Sequence, residues 1–314
     1  VVAWIDQGAP RGNPADMPAM PHFEESEWKL GQPDLVVKLP ETEIPAEGSD
    51  VFAKLPGTVA LPEDRWIKAV EIKPGAPKVV HHVIMFQIKG FDVDPSGGWI
   101  GAWAAGTEPM VFPEGTGRLM QKGANLIGDM HWHPSGVATK DQTSVGLHFA
   151  KTEDVQKELV NLWVANDDWT IPAGDPNYEV RSKYTFPQDA FILGFAPHMH
   201  YRGKDFTYTA RYPDGRGEQL LRVDNYDFNW QTNYVLSKRL PMPKGTTIEC
   251  VAHFDNSANN PVNPDPTRNV TFGEETNDEM MIGFLDYVVA DGVRPKSQEE
   301  LRLDILNEWA KELS

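Results

Sequence analysis

Lys78-Val79-Val80-His81-His82-Val83-Ile84-Met85-Phe86 is a run of β-branched and apolar residues interrupted by two histidines. Val, Ile and Phe fit a pleated surface, and the apolar positions do not recur at helical spacing, so the run reads as a β-strand. Comparable runs lie at 35–39 (broken only by Lys38), 78–88, 143–150, 190–196, 246–254 and 280–290. Between them, 26 Gly and 26 Pro are spread in short clusters instead of being pooled in one linker. Short strands separated by such turn signals indicate a sandwich or barrel, so the expected class is all-β. Helical spacing emerges only near the end. Ser297 is a candidate N-cap, Glu299 and Glu300 follow in the first turn, and Leu301, Leu303, Ile305, Leu306 and Trp309 recur at roughly helical intervals. Tyr226, Phe228, Trp230 and Tyr234 alternate at even spacing and are expected to pack one sheet face.

A chain of 314 residues suits two domains of roughly 150 residues each. The stretch 151–159 is charged and poor in strand formers, which places the expected boundary near residue 155. The expected organisation is therefore a linker over 1–30, an N-terminal domain over 31–155, a C-terminal domain over 156–290 and a helical tail over 291–314. Cys250 is the only cysteine, so no internal disulfide forms. Lys and Arg number 29 against 46 Asp and Glu, a formal charge of −17. That balance, with no basic run, argues against a nucleic-acid binder. No apolar stretch approaches the ~20 residues of a spanning helix. Val1 opens in mid-pattern, as though a precursor had been trimmed. The stretch Val1-Val2-Ala3-Trp4-Ile5-Asp6-Gln7-Gly8-Ala9-Pro10 reads as a helix end closed by Gly and Pro. It resembles the final helix of small c-type cytochrome domains, although the haem-attachment motif Cys-x-x-Cys-His is absent here.

The chemistry sits in the histidines. Of nine, His81 and His82 are adjacent, His131 and His133 flank Trp132, and His198 and His200 flank Met199. On a strand, residues i and i+2 share a face, so each His-x-His presents two imidazoles side by side, a set suited to copper, zinc, iron or nickel. Adjacent strand residues face opposite ways. His81 and His82 can therefore share one ion only at a strand end or a bulge. Asp278-Glu279-Met280-Met281 opens a late apolar strand, and a thioether there would favour Cu(I) over zinc or iron. Met280 and Met281 cannot both face one site.

Four segments, in order, resemble the copper type II, ascorbate-dependent monooxygenases, the family that includes peptidylglycine α-hydroxylating monooxygenase and dopamine β-hydroxylase. They are His81-His82-Val83-Ile84-Met85-Phe86, Met130-His131-Trp132-His133, Pro197-His198-Met199-His200-Tyr201-Arg202-Gly203-Lys204, and Thr276-Asn277-Asp278-Glu279-Met280. The resemblance covers about residues 31 to 290. It implies two tandem antiparallel jelly-roll-like β-sandwich domains with one copper in each. His81, His82 and His131 would bind an electron-transfer copper. His198, His200 and Met280 would bind the copper at which O2 is activated and a C–H bond of a small substrate is hydroxylated. It also implies His131 over His133, and Met280 over Met281. Two electrons must come from an external reductant, such as ascorbate or a haem domain, with a fused or separate cytochrome c as the expected donor.

The match departs at the substrate. Where the peptide-processing enzyme holds its substrate's carboxylate with an arginine, an asparagine and a tyrosine, this chain has Ala196, Ile282 and Phe284. A carboxylate would find no charged partner there, so an uncharged or aromatic substrate is expected, and glycine-extended peptides are not. The paired cysteines of the animal enzymes are missing, which suggests a bacterial relative, periplasmic or secreted. Two rival readings stand beside this one. One is a non-catalytic copper-binding or electron-transfer protein on the same fold. The other is a mononuclear cupin-type dioxygenase using His198 and His200 with a carboxylate.

Overall fold

A computed structural model describes residues 2–13, 16–17, 28–89, 92–93, 98–295, 300 and 303. The described chain is nearly all β, built from many short antiparallel strands. The expected strand runs appear as Leu35–Lys38, Val80–Lys89, Ser144–Ala150, Ala190–His198, Thr247–Phe254 and Ile282–Val289. The expected C-terminal helix falls on residues outside the described ones, apart from Glu300 and Leu303, which are helical. At the other end, the short helix Val2–Asp6 is closed as its sequence suggests. Gly8 takes the left-handed conformation (φ 81°), and the Ala9 N–H donates back to the Trp4 carbonyl at 2.9 Å.

Two sheets enclose the first core. One runs Leu35–Lys38, Ser144–Ala150, Arg65–Lys73, Thr116–Met120, Lys157–Glu158, with Met110–Val111 pairing off Arg65–Lys73. The other runs Val51–Gly57, Asn125–Trp132, Val80–Lys89, Asp92–Val93, with Trp99–Ala104 pairing off Val80–Lys89. Alternation along Val80–Lys89 sends Val83 and Met85 into this core and leaves His82, Ile84 and Phe86 part-exposed on the outer face. Trp132 is fully buried, and its indole N–H reaches the buried Asp141 carboxylate at 3.2 Å.

Two four-stranded sheets enclose the second core, which gathers Val180, Phe206, Tyr208, Cys250, Phe254, Met281 and Leu285. Their orders are Val160–Ala165, Ile282–Val289, Ala190–His198, Tyr234–Met242 and Tyr178–Thr185, Thr247–Phe254, Gly203–Arg211, Gly217–Val223. In the first of them the register aligns Ala165, Ile282 and His198 in one row and Trp163, Phe284 and Ala196 in the next row of that face. Between the halves, the 3-10 turn Thr152–Asp154 leads into Lys157–Glu158, which pairs in parallel with Thr116 and Gly117.

The halves touch. Leu159, Leu193 and Val288 pack into the first core. Phe86 meets Trp163 at 6.0 Å between ring centroids, and Arg118 lies 4.0 Å from Asp286. One expectation fails. Tyr226, Phe228 and Trp230 do not lie on a strand but in the loop joining Gly217–Val223 to Tyr234–Met242, and Trp230 is 75% exposed. Two further residues of this loop, Asp227 and Gln231, have polar side chains that bond the loop's own backbone, which favours a turn over a ladder. Asp227 accepts from the Asn229 N–H at 2.8 Å, and Gln231 donates to the Phe228 carbonyl at 3.0 Å.

Candidate metal centres

A β-bulge makes the histidine doublet usable. Between Asn125–Trp132 and Val80–Lys89 the register runs His131 to His82 and then skips to Trp132 opposite Val80, so His81 is the extra, unpaired residue. The kink turns both imidazoles to the side of His131. One ring nitrogen from each of His81, His82 and His131 lies within 4.8 Å of the others. The Nδ1 atoms of His81 and His82 are 3.2 Å apart. Two nitrogens bound about 2.0–2.1 Å from one tetrahedral ion would lie roughly 3.3 Å apart, so the pair is spaced for a shared metal.

His131 has a buried Nδ1 with no hydrogen-bond partner, while its Nε2 lies 2.7 Å from Asp50. A carboxylate only accepts, so Nε2 carries the proton and Nδ1 keeps its lone pair. Phe52, opposite His131 on the neighbouring strand, stacks on its ring at 4.3 Å. His133 does not join the set. It is 71% exposed, and its Nδ1 donates to the other oxygen of Asp50 at 2.6 Å. Burial opposes ionisation of Asp50, but the hydrogen bonds and charge of His131 and His133 win, and its carboxyl sits below the usual range.

The second set lies where the Ala190–His198 strand runs out. His198 and His200 share a face with rings 5.2 Å apart, and Met199 between them points into the second core. His198 Nδ1 lies 2.6 Å from the Gln231 carbonyl oxygen, and His200 Nδ1 lies 3.3 Å from the Asp278 carbonyl. Facing oxygens that only accept, both Nδ1 atoms act as donors, and the His200 ring makes a further hydrogen bond with the Glu275 backbone. Glu279, fully buried, accepts from the backbone N–H of His200 at 2.7 Å and of Arg202 at 2.5 Å. Burial pushes its carboxyl up to about 8, against the pull of those N–H groups and the Arg202 guanidinium.

The ladder ends at His198 opposite Ile282, and Met280 lies two residues before that last pair. Met280 is half-buried, whereas Met281 is fully buried and its sulfur accepts from the Ser182 hydroxyl at 3.3 Å. Gly203 closes the turn. A Cβ there would sit 2.7 Å from Tyr226 and 2.8 Å from the Met199 side chain.

One loop connects the two sets. Tyr226 braces Met199, accepting from its N–H at 3.0 Å and donating to its carbonyl at 2.7 Å. Gln231 orients His198, and between them Phe228 lies 5.8 Å from the His200 ring, 6.4 Å from the His81 ring and 4.8 Å from Tyr201. A single aromatic ring therefore spans the interval between the two imidazole sets.

No protein-family model matches the chain, and no curated protein does. Among solved structures, one titled "Structure of infectious bursal disease virus Gx strain" aligns over 82% of this chain and 72% of its own, at 8% identity and a TM-score of 0.18. That superposition is too loose to bear on fold or function.

The imidazoles are held neutral. Burial lowers His81 and His198, and it pushes His82 and His200 down to about 3, helped by the charge of neighbouring histidines. Neutral imidazole is the metal-binding form, so these four need shed no proton near pH 7 to take an ion. Of the six expected ligands, His81, His82 and His131 are gathered and the His198 and His200 rings are neighbours, while Met280 lies two residues before the end of the His198 ladder. Sequence reasoning missed Asp50, Gln231, Glu279 and Phe228. Only Glu279 sat inside a quoted motif; the others reach the site through a strand pairing or a loop closure that a linear pattern does not display.

Proposed function

We propose that this chain is a copper-dependent monooxygenase that hydroxylates a C–H bond of a small, uncharged or aromatic substrate, using O2 and an external reductant. His81, His82 and His131 would hold one copper, and His198, His200 and Met280 the other. Copper bound at the two sets would supply the redox chemistry, electron delivery at the first and O2 activation at the second. The chain's own residues do the rest. Asp50 and Gln231 fix which imidazole nitrogen carries the proton, Glu279 holds the backbone of His200, and burial keeps His82 and His200 neutral.

The observation that carries this reading is the gathering of His81, His82 and His131 at the bulge, together with the unpartnered, buried Nδ1 of His131. A buried imidazole nitrogen without a partner is costly, and an ion shared with two further imidazoles would satisfy it. Copper in particular rests on Met280, since a thioether joining two imidazoles would suit Cu(I).

The substrate side is apolar. Phe284 lies 6.1 Å from the His198 ring and stands edge-on to Trp163 at 5.0 Å, while Phe86 approaches Trp163 from the other half at 6.0 Å. Ala196 and Ile282 complete the neighbouring positions, and none carries a charge. These rings favour a flat or apolar molecule next to His198 and give a carboxylate no partner. We place the protein in a periplasmic or secreted setting, with ascorbate or a cytochrome c as electron donor.

The test is O2 uptake by the copper-loaded protein with ascorbate and a panel of small substrates. Aromatic or uncharged compounds should be hydroxylated with one oxygen atom from O2, and glycine-extended peptides should be inert. Copper loading without substrate-dependent O2 uptake across the panel would leave the electron-transfer reading in its place.

A further inference from the structure

We infer that Asp50 is the positioning residue of the first imidazole set, a carboxylate clamp that holds His131 with its Nδ1 lone pair turned toward His81 and His82, and that His133 is its brace. The inference deepens the reading just given and rests on it for the clamp's purpose, though not for its geometry.

Three observations meet here. First, Asp50 spends both oxygens on imidazoles, Oδ2 on His131 Nε2 at 2.7 Å and Oδ1 on His133 Nδ1 at 2.6 Å. Each contact requires a proton on the imidazole side, because an ionised carboxylate has none to give. His131 therefore has only Nδ1 left for a ligand, and that atom is buried and unpartnered. Second, the placement is built by the sheet. Trp132 pairs with Val51 and His131 with Phe52, so one more step of the same register sets His133 abreast of Asp50. Phe52 then stacks on the His131 ring at 4.3 Å and stops it from swinging away. Third, the two histidines differ in exposure. His131 is 2% exposed and His133 is 71% exposed. The outer imidazole is not among the three gathered ones, and its proton serves to lock the second carboxylate oxygen. This gives the His-x-His at 131 and 133 two different jobs, one as ligand and one as support.

A carboxylate behind a metal-binding imidazole fixes its tautomer and raises its basicity, and removing such a partner typically costs 10–100-fold in metal affinity. Asp50→Asn keeps the shape but offers one acceptor where two N–H groups arrive, so His131 loses its single orientation.

Two measurements test the clamp. In the copper-free protein, long-range proton–nitrogen NMR should show His131 as the Nε2–H tautomer, and D50N should mix it with the Nδ1–H form. In Cu(I) competition against a chromophoric chelator, D50N should weaken the His81/His82/His131 set by about 10–100-fold and leave the His198/His200 set unchanged. H133A, which keeps Asp50, should weaken the first set by less than D50N does. The clamp is overturned if D50N keeps both the wild-type tautomer and the wild-type affinity. A wild type that shows the Asp50-bound tautomer but takes no copper leaves the clamp standing and defeats the copper reading, so the two failures are separable.

Discussion

Acidification should destabilise the copper-free protein through the buried imidazoles, and His200 gives the cleanest number. Its ring is 5% exposed, and burial pushes its pKa down to about 3, against about 6.5 in an unfolded chain. The folded form stays neutral while the unfolded form takes up a proton, so unfolding gains a proton as pH falls below about 6.5. Stability is fully present above that pH and is lost progressively down to about 3. The slope is about 1.4 kcal/mol per pH unit, or about 2 kcal/mol lost by pH 5 from this residue alone. Set against a typical folding stability of about 5–15 kcal/mol, that is a measurable share. Urea unfolding with a chelator present, at pH 7, 6 and 5, should show a steeper decline in wild type than in His200→Gln, with the difference near 2 kcal/mol at pH 5. Comparing the two proteins cancels the contributions of groups away from His200. Parallel pH dependences in both would refute a neutral, buried His200.

Further outcomes follow from single contacts. Gln231→Leu removes the acceptor 2.6 Å from His198 Nδ1 and should lower Cu(I) affinity of the second set by about 10–100-fold, read by chelator competition, with the first set untouched. Asp141→Ala strips the acceptor from the Ala76 N–H, the Trp132 indole and the Thr143 hydroxyl, and should cost about 3–5 kcal/mol in urea unfolding. Met280→Leu should abolish hydroxylation while leaving the fold intact, whereas Met281→Leu, in the core beside Ser182, should retain activity; a product assay on both variants separates them. Gly203→Ala forces a Cβ to 2.7 Å from Tyr226 and should cost about 1–3 kcal/mol while loosening the turn that carries His200, visible as a lower Tm.

Much of the fold is legible in local pattern. Runs such as 190–196 and 246–254 alternate or stay apolar over strand length, and turn residues bracket them. The pairing of His198 with His200 follows from the two-residue repeat, with Met199 inward. Sharing of His81 and His82 follows only once a bulge is granted, and the bulge arises from a register shift opposite Trp132 that adjacent residue types do not announce. Asp50 lies 81 residues before His131, and Gln231 lies 33 after His198, so both contacts depend on tertiary closure. The aromatic residues at 226–230 misled for a related reason. Even spacing matches a strand face, but Asp227 and Gln231 supply side-chain bonds to the backbone that stabilise a loop instead, and Phe228 is freed to stand between the two sets.

Copper stoichiometry by metal analysis after anaerobic Cu(I) loading and desalting tests the central claim most directly. Two copper per chain are expected in wild type, one in His82→Ala and one in His198→Ala. A wild type that retains a single ion, that takes zinc or iron in preference, or that keeps two copper after loss of His82 would contradict the account.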